Sequence, residues 1–302
     1  MTGFRVINPG IQTTIQDVGR RGHGSIGVTQ AGAVDEFAFH WSNKLLGNPY
    51  NTNALEIALG GLKLKAVGSI DFVLTGAMVD VSIDGHTIEQ WKTYTIKDSE
   101  VLEIGFASSG QRIYLGVVGG FDVKPEYDSY SVSIKEGIGG LVLKANDFLP
   151  YTSRHLNESR KLPNQSQPNY ELPLTLRVLA GYQWELFSED EREKFFTSAY
   201  KVTPQNDRMG FRLEGQKIKA QCNGIISEAI AYGSIQIPSH GEPIVLLKEH
   251  QTIGGYPKIG AVIAVDCFKL SQMKQGSIIK FSLVSKEEAR KSCINFYNFF
   301  KI

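Results

Sequence analysis

Residues 60–121 alternate between short apolar segments and tight turns, and this stretch constrains the fold more than any other part of the chain. Within it, residues 79–84 alternate apolar and polar side chains, which is the period of a strand with one buried face. Asp84 and Gly85 follow, a pair typical of a two-residue hairpin turn in which both positions take a positive φ. About six such strands without an intervening helix predict an antiparallel barrel or sandwich.

The chain is long enough for two such domains, because its 302 residues correspond to two domains of roughly 150 residues. Its 31 glycines, against 11 prolines, supply residues that accept turn conformations. Residues 152–173 have the Ser, Asn, Gln and Pro content of a linker, although a β connection packed on the surface has the same composition. We predict a mainly β fold with barrel domains at 1–155 and 174–302 and a linker at 156–173.

A few short helices are expected beside the strands. Apolar residues recur at helical spacing from Val34 to Leu45, and Gly47 supplies a stop. A second helix should begin at Ser188, where a glutamate three residues later completes a capping box. Residues 286–300 predict a helix near the end of the sequence.

Charge and composition exclude several classes of function. The 32 basic and 31 acidic side chains leave a net charge of +1, so there is no positive field to gather nucleic-acid phosphates. No apolar run approaches the ~20 residues that span a bilayer, and the first residues do not resemble a secretion signal. The three cysteines lack CxxC spacing and indicate reduced thiols. We therefore expect a cytoplasmic protein with neither nucleic acid nor membrane as a partner.

Familiar cofactor and catalytic motifs are missing or out of context. Residues 22–27 match GxGxxG, but no strand-turn-helix unit surrounds them, so they favour a turn over a dinucleotide site. The sequence contains no GxxxxGK[ST] phosphate loop and no GxSxG nucleophile motif. The six histidines show no metal-binding spacing, and we predict no metal site.

Four polar segments in glycine-rich, apolar surroundings carry the candidate chemistry: residues 12–20, 27–35, 204–213 and 250–259. Binding and catalytic residues often lie on such loops beside rigid strands. The alternative is that these side chains are internal clamps, with ion pairs such as Asp17 with Arg20 or Asp207 with Arg212 holding the loops. The residues alone favour neither interpretation.

The same segments resemble the allophanate hydrolase subunit 2 family, also called the biotin-dependent carboxyltransferase family. The resemblance extends from about residue 5 to about residue 290 and is specific. It is carried by residues 9–20, 27–35, 43–48, 55–57, 74–77, 118–123, 206–210 and 251–258.

The resemblance implies a cyclophilin-like architecture for both barrels and a role in a heteromeric enzyme. The expected activity is that of a subunit of an ATP-dependent 5-oxoprolinase, a hydrolase that opens the cyclic amide 5-oxo-L-proline to L-glutamate only as a complex. The expected partners are a subunit-B-type protein of the allophanate hydrolase subunit 1 family and an A-type subunit. ATP is expected to be held by the complex and not necessarily by this chain.

Two other functions stay open within the same family. One is carboxyl transfer in a biotin-dependent urea or amide carboxylase, where the biotin would arrive on another protein. The other is a non-enzymatic regulator that antagonises a histidine-kinase inhibitor. Relatives often carry a basic residue in a segment that corresponds here to residues 128–133, and its absence puts the binding of an anionic substrate in doubt.

An amide-opening site needs cations and N–H donors for developing oxyanions and a carboxylate to steer water or a proton. On that chemistry, the candidate catalytic residues are Asp17, Asp35, Asp207 and Arg208. The candidate substrate-binding residues are Arg20, Arg212, Gln251, Thr252, Gly254, Gly255, Tyr256 and Lys258. Among these, Arg208, Arg212 and Lys258 are expected to bind anions, and Tyr256 is expected to wall the pocket.

Overall fold

The chain divides into two compact units. The first comprises Met1–Arg21 with Ala31–Glu171, and the second comprises Gly22–Gln30 with Leu172–Ile302. The computed structural model describes residues 1–140, 142–171 and 173–302. In this division residues 156–171 group with the first unit; the predicted limits of the domains and linker stay a prediction.

The first unit is built from short strands. They are β1 (Gly3–Pro9), β2 (Gln12–Gln16), β3 (Ala54–Ala58), β4 (Leu62–Val67), β5 (Ile70–Met78), β6 (Val81–Ile83), β7 (His86–Ile88), β8 (Thr93–Ile96), β9 (Val101–Ile104), β10 (Ser109–Val117) and β11 (Phe148–Pro150). A six-stranded sheet has the order β11-β1-β4-β9-β6-β7, and a five-stranded sheet has the order β2-β3-β10-β5-β8. The paired strands described here are antiparallel.

One hydrophobic core draws on both sheets of the first unit. Phe4 and Leu102 belong to the six-stranded sheet, Phe72 and Leu115 belong to the five-stranded sheet, and all four are fully buried. The hairpin between β6 and β7 turns at Asp84 and Gly85, whose φ values are 47° and 81°. The predicted hairpin is therefore confirmed.

Helix α1 (Glu36–Leu46) confirms the helix predicted from Val34 to Leu45; it begins two residues after Val34 and ends before Gly47, as predicted. The Asp35 carboxylate accepts a hydrogen bond from the backbone N–H of Ala38, which caps the start of the helix. Gly47 takes φ 68° and its N–H donates to the carbonyls of Asn43 and Lys44. Glycine suits this position because the left-handed conformation costs it no Cβ clash.

Residues 152–171 are here called the strap, and within it residues 159–162 are hydrogen-bonded to residues 91–93, where β8 begins at the edge of the five-stranded sheet. The N–H of Thr93 donates to the carbonyl of Arg160 over 2.9 Å, and the N–H of Leu162 donates to the carbonyl of Trp91 over 2.9 Å. Part of the segment with linker composition is therefore held against the five-stranded sheet by backbone hydrogen bonds.

The second unit is a closed barrel with a small additional sheet. Its strands are β12 (Leu174–Ala180), β13 (Ala199–Asn206), β14 (Gly210–Gly215), β15 (Glu228–Ala229), β16 (Ser234–Gln236), β17 (Ile244–Leu246), β18 (Ile253–Gly254), β19 (Lys258–Val262) and β20 (Ile278–Leu283). The barrel order is β12-β19-β16-β17-β14-β13-β20, and β15 pairs with β18 outside it. The mainly β class is confirmed; the closed barrel belongs to this unit, whereas the first unit has two sheets.

Three further helices belong to the second unit: α2 (Glu189–Thr197), α3 (Ala264–Leu270) and α4 (Lys286–Phe300). The predicted start of α2 is confirmed, because the Ser188 hydroxyl accepts from the N–H of Glu191. Helix α4 is also confirmed and carries a full capping box made by Ser285 and Glu288. Helix α3 was not predicted; it spans seven residues and has no side-chain cap. Within the described residues, no helix is long and apolar enough to cross a bilayer.

Candidate functional site

Asp17, a candidate catalytic residue of the first unit, is the centre of an internal clamp. It is 4% exposed and follows directly after β2. Its carboxylate accepts from the hydroxyls of Ser129 and Ser131 over 2.6 and 2.5 Å, and from the N–H groups of Gly19 and Tyr130 over 2.8 and 2.9 Å. Four donors from this chain therefore hold the carboxylate, which pins residues 129–131 to the end of β2.

Arg20 extends this clamp. The side chain is 2% exposed, and its guanidinium donates to the carbonyl oxygen of Ser131. The segment at 128–133 is the one that lacks the basic residue of relatives, and Ser129, Ser131 and Ser133 within it are buried. The structure thus places Asp17 and Arg20 around this segment, where both side chains form hydrogen bonds with Ser131.

Asp35 belongs to a second buried cluster in the same unit. Besides capping α1, its carboxylate accepts from the hydroxyl of Tyr170, a strap residue, over 3.0 Å. Its N–H donates to the Tyr114 hydroxyl over 2.9 Å, and that hydroxyl donates to Glu56 over 2.8 Å. Burial, followed by the charges of Glu56 and Asp35, raises the pKa of Tyr114 well above its ordinary value, so it stays a neutral donor. Glu56 and Tyr170 were not among the predicted site residues.

In the second unit, Asp207 and Arg208 lie on the turn between β13 and β14 and differ in burial. Asp207 is exposed, and its carboxylate accepts from the N–H groups of Met209 and Gly210, as in a turn stabilised by its own side chain. Arg208 is 6% exposed and pairs with Glu249, which is equally buried, over 2.6 Å. This ion pair ties the turn to the residues before Gln251. Arg212 lies exposed on β14.

Lys248 and His250 flank Glu249. His250 opens the fourth polar segment but was not among the candidate site residues, and Lys248 was not singled out in the sequence. Lys248 is 4% exposed, and its ammonium lies 4.7 Å from the ring centroid of Tyr232. The Nδ1 of His250 lies 2.8 Å from the carbonyl oxygen of Gln251. Burial lowers the pKa of His250 below 6.5, the charge of Lys248 acts in the same direction, and the bond to Gln251 opposes both.

The predicted residues at 252–255 form one side of a small cover, here called the flap, made of residues 225–230 and 252–255. Glu228 pairs with Gly254 in the β15–β18 sheet, and the N–H of Ile230 donates to the carbonyl of Thr252. Ile230 packs with Ile244 and Leu246 of β17. The flap therefore covers the face of the barrel that these two β17 residues share.

Lys258 lies at the edge of the flap and joins it to the barrel. The side chain is 11% exposed, and its ammonium pairs with the Glu228 carboxylate over 2.8 Å. Gln183 donates to the same carboxylate over 2.7 Å and accepts from the N–H of Lys258 over 2.9 Å. The bonds from Lys258 and then from Gln183 lower the pKa of Glu228, so this carboxylate is ionised at neutral pH.

The other predicted residues of this loop surround the same place. Gln251 and Tyr256 are exposed, and the carbonyl of Tyr256 is 3.5 Å from the Lys258 ammonium. The carbonyl of Gly255 accepts from Ile225, which closes the end of the flap. The structure brings Gln251, Thr252 and 254–258 together, whereas Asp207 and Arg212 lie in the β13–β14 hairpin.

The flap edge combines a cation, a half-exposed carboxylate and side-chain amides, which suits the binding of a small polar molecule with an anionic group. Glu228 and Gln183 were missed because no local pattern marks them; only the pairing of β15 with β18 brings them to Lys258. Among the described residues, no group of three or more His, Cys, Asp or Glu is placed to hold a metal ion.

Comparison with known proteins places this geometry in a family. Residues 26–283 match the model of the carboxyltransferase domain, subdomain A and B. The chain is 35% identical over 295 residues to the C-type subunit of 5-oxoprolinase from Escherichia coli strain K12, a match that covers 96% of this chain and 94% of that protein. It is 34% identical to the C-type subunit of 5-oxoprolinase from Haemophilus influenzae, and that match covers 93% of this chain and 91% of that protein.

A solved structure shares the fold over nearly the whole chain. The urea amidolyase of K. lactis superposes with a TM-score of 0.89 at 27% identity, and the match covers 98% of this chain. The chain spans only 20% of that much longer protein. The same fold therefore occurs both as a whole subunit and as one part of a larger enzyme.

Proposed function

Because the chain belongs to the carboxyltransferase domain family, subdomains A and B, we propose that it is a subunit of an ATP-dependent 5-oxoprolinase, the complex that hydrolyses 5-oxo-L-proline to L-glutamate. Membership confirms the family resemblance noted in the sequence. The observation that carries the proposal is the end-to-end match with the 5-oxoprolinase subunits, in contrast to the one-fifth share of the urea amidolyase.

The chemistry asks for a site that binds a small anionic lactam. Resonance makes the amide a poor electrophile, and ATP overcomes this when the amide oxygen takes its terminal phosphoryl group and releases ADP. Water then adds to the activated carbon and the ring C–N bond breaks, which leaves the amine of γ-glutamyl phosphate, and a second water cleaves this acyl phosphate to glutamate and phosphate. Cations and N–H donors lower the barrier of such steps because they stabilise developing negative charge.

The flap edge is the proposed place of substrate contact. Lys258 is the cation, since Glu228 and the carbonyl of Tyr256 occupy two of its three N–H donors and the ion pair is half-exposed on the carboxylate side. Gln251 and Thr252 orient the substrate, and the side chain of Tyr256 forms one wall of the site. Glu228, ionised at neutral pH, is the carboxylate that steers water or a proton.

The buried candidates of the first unit have a different proposed role. Asp17, Arg20 and Asp35 are engaged by their own chain and position the loops of that unit. The proposed partners are a subunit-B-type protein and an A-type subunit in the cytoplasm, and ATP is bound by the assembled complex. The sequence of this chain has no phosphate loop, which is consistent with the proposal that the assembled complex binds ATP.

Reconstitution tests the proposal directly. The purified chain is mixed with a subunit-B-type and an A-type protein, 5-oxo-L-proline and ATP, and glutamate and ADP are measured together. We expect equimolar glutamate and ADP only when all three proteins are present. Full activity without this chain would contradict the proposal.

Carboxyl transfer from carboxybiotin is the second candidate, favoured by the structural match to the urea amidolyase. It predicts that turnover requires bicarbonate and stops when avidin is added, whereas 5-oxoprolinase activity should respond to neither. Partner binding at a stoichiometric ratio without either reaction would favour the regulatory role instead.

A further inference from the structure

The flap covers a buried amide whose nitrogen has no hydrogen-bond partner among the described residues of this chain. Gln236, at the end of β16, is 2% exposed, and its Nε2 has no hydrogen-bond acceptor in residues 1–140, 142–171 and 173–302. A buried N–H donor without an acceptor destabilises a fold, so nearly all such groups are paired. The acceptor for the Nε2 donor of Gln236 is therefore to be sought outside the described residues.

The strand register fixes where Gln236 lies. It stands opposite Ile244 of β17 on one side and opposite Lys258 of β19 on the other. Residues directly opposite on antiparallel strands share a face of the sheet. Ile244 packs against Ile230 of the flap, so Gln236 lies on the flap-covered face, between an apolar wall and the strand position of the candidate cation.

Gly254 of the flap comes close to this amide. A Cβ built on Gly254 would lie 2.9 Å from Nε2 of Gln236, 3.2 Å from Nε2 of Gln251 and 2.6 Å from Cδ1 of Ile230. Two primary amides and one aliphatic side chain therefore converge beside a residue with no side chain. Any larger residue at position 254 would push into the Gln236 amide.

This set of groups fits one feature of the proposed substrate. Two amide N–H donors match the two oxygens of a carboxylate, Lys258 supplies the opposite charge nearby, and Ile230 offers an apolar wall for ring methylenes. 5-Oxoproline has both a carboxylate and methylenes, whereas urea has neither. Holding the substrate by its carboxylate leaves the lactam free to react.

We propose that Gln236 is a specificity-determining residue whose Nε2 donates to the substrate carboxylate beneath the flap. The inference rests on the proposed function and deepens it, because it assigns the group that the site recognises. The charge-assisted hydrogen bond formed in this way supplies the acceptor that the chain itself does not offer.

The test replaces the amide and varies the substrate. Gln236→Met keeps the length of the side chain but removes the donor, and we expect it to weaken 5-oxo-L-proline binding by about 10- to 100-fold. 2-Pyrrolidinone, the same lactam without a carboxylate, should bind wild type and variant equally weakly. Gln236→Glu, which opposes the substrate with a negative charge, should weaken binding further. The matched control is Gln275→Met, at an exposed glutamine.

Thermal unfolding separates recognition from a structural role. Removing an unpaired buried donor should leave Tm unchanged or raise it, whereas a structural amide would lower Tm when lost. Affinity within about twofold of wild type, or an equal loss for both lactams, would overturn the inference.

Binding is measured by calorimetry on the assembled complex and on the full chain, so that it does not depend on turnover. If the complex produces no glutamate but 5-oxoproline binding still depends on Gln236, the proposed function fails and this inference stands. If glutamate forms and the Gln236 variants bind normally, the reverse holds. Absence of any 5-oxoproline binding to the wild type overturns the inference.

Discussion

Asp17 of the first unit and Gln236 of the second are both almost fully buried polar side chains, but they differ in the hydrogen bonds that the rest of the chain makes to them. Four donors surround the Asp17 carboxylate. The Nε2 of Gln236 has no acceptor among the described residues. A saturated polar group has little left to offer a ligand, whereas an unsaturated one gains its partner only when something binds. We therefore expect Asp17 to act in the stability of the fold, whereas Gln236 is the residue proposed to bind the substrate.

The same contrast separates Asp35 from Lys258. Asp35 caps a helix and accepts from Tyr170, both inside the first unit. Lys258 pairs with Glu228, whose side chain is 43% exposed, so the ion pair opens toward solvent and toward a ligand. Substitutions can therefore separate stability from activity, since each side of the comparison predicts a different loss.

The largest effect is expected for stability, at Asp17. Asp17→Ala removes the acceptor of four buried or partly buried donors, and we expect the free energy of unfolding to fall by about 3 to 4 kcal/mol. Urea denaturation of the full chain measures this fall. Asp80→Ala, at an exposed aspartate of the same unit, should change it by less than about 0.5 kcal/mol.

If Asp17 is catalytic instead, the comparison breaks. The variant would then retain its stability while the reconstituted complex lost its turnover, which is the opposite pattern.

The next largest effect is expected for activity, at Lys258. Lys258→Met removes the cation of the flap edge, and we expect kcat/KM for 5-oxo-L-proline to fall by about 100- to 1,000-fold. Stability should change little, because the freed Glu228 is half-exposed. Steady-state kinetics of the complex measure the loss, with Lys280→Met on the exposed face of β20 as the control. A kcat/KM within about twofold of wild type would remove Lys258 from the site.

Short-range sequence signals allowed some elements of the first unit to be predicted. The helical spacing at 34–45, Gly47 and the pair at 84–85 act within a few residues of where they stand, so the sequence predicts α1 and the β6–β7 hairpin correctly. The capping role of Asp35 is equally local but was not predicted. The clamp could not be predicted in the same way, because Ser129 and Ser131 lie more than 110 residues from Asp17 and only the folded chain brings them together.

Only some of the residues in and around the flap could be identified from the sequence. Residues 251–258 stand out in the sequence through their composition, and the structure does gather them. Gln236 and Glu228 do not stand out, since their positions depend on the register of β16 with β19 and of β15 with β18. The parallel pairing of β12 with β20, which closes the barrel, likewise could not be predicted from a local sequence pattern.

A smaller effect is expected at Asp35, where the two interpretations of the first unit can be separated. Asp35→Ala removes the cap of α1 and should lower the free energy of unfolding by about 1 to 2 kcal/mol. Asp35→Ser keeps a capping oxygen and should recover most of that loss. Urea denaturation measures both. If Asp35 acted catalytically, the serine variant would be stable but inactive.

The smallest effect is expected at His250 and concerns pH. Because burial lowers its pKa in the folded chain below 6.5, the unfolded chain binds the proton more readily below that pH. The free energy of unfolding should therefore fall as the pH drops from about 6.5 toward the lowered pKa. His250→Asn removes this contribution, so its stability relative to wild type should rise between about pH 7.5 and about pH 5.5.

Urea denaturation at both pH values measures this relative change, and His86→Asn, at an exposed histidine, is the control that should show none. The sign carries the argument, because a histidine stabilised in its charged form by an acidic neighbour would produce the opposite slope. A rise for His250→Asn would mean that burial and the charge of Lys248 dominate, and that His250 is neutral in the folded loop at neutral pH. A fall would instead show that protonation of His250 stabilises the folded loop.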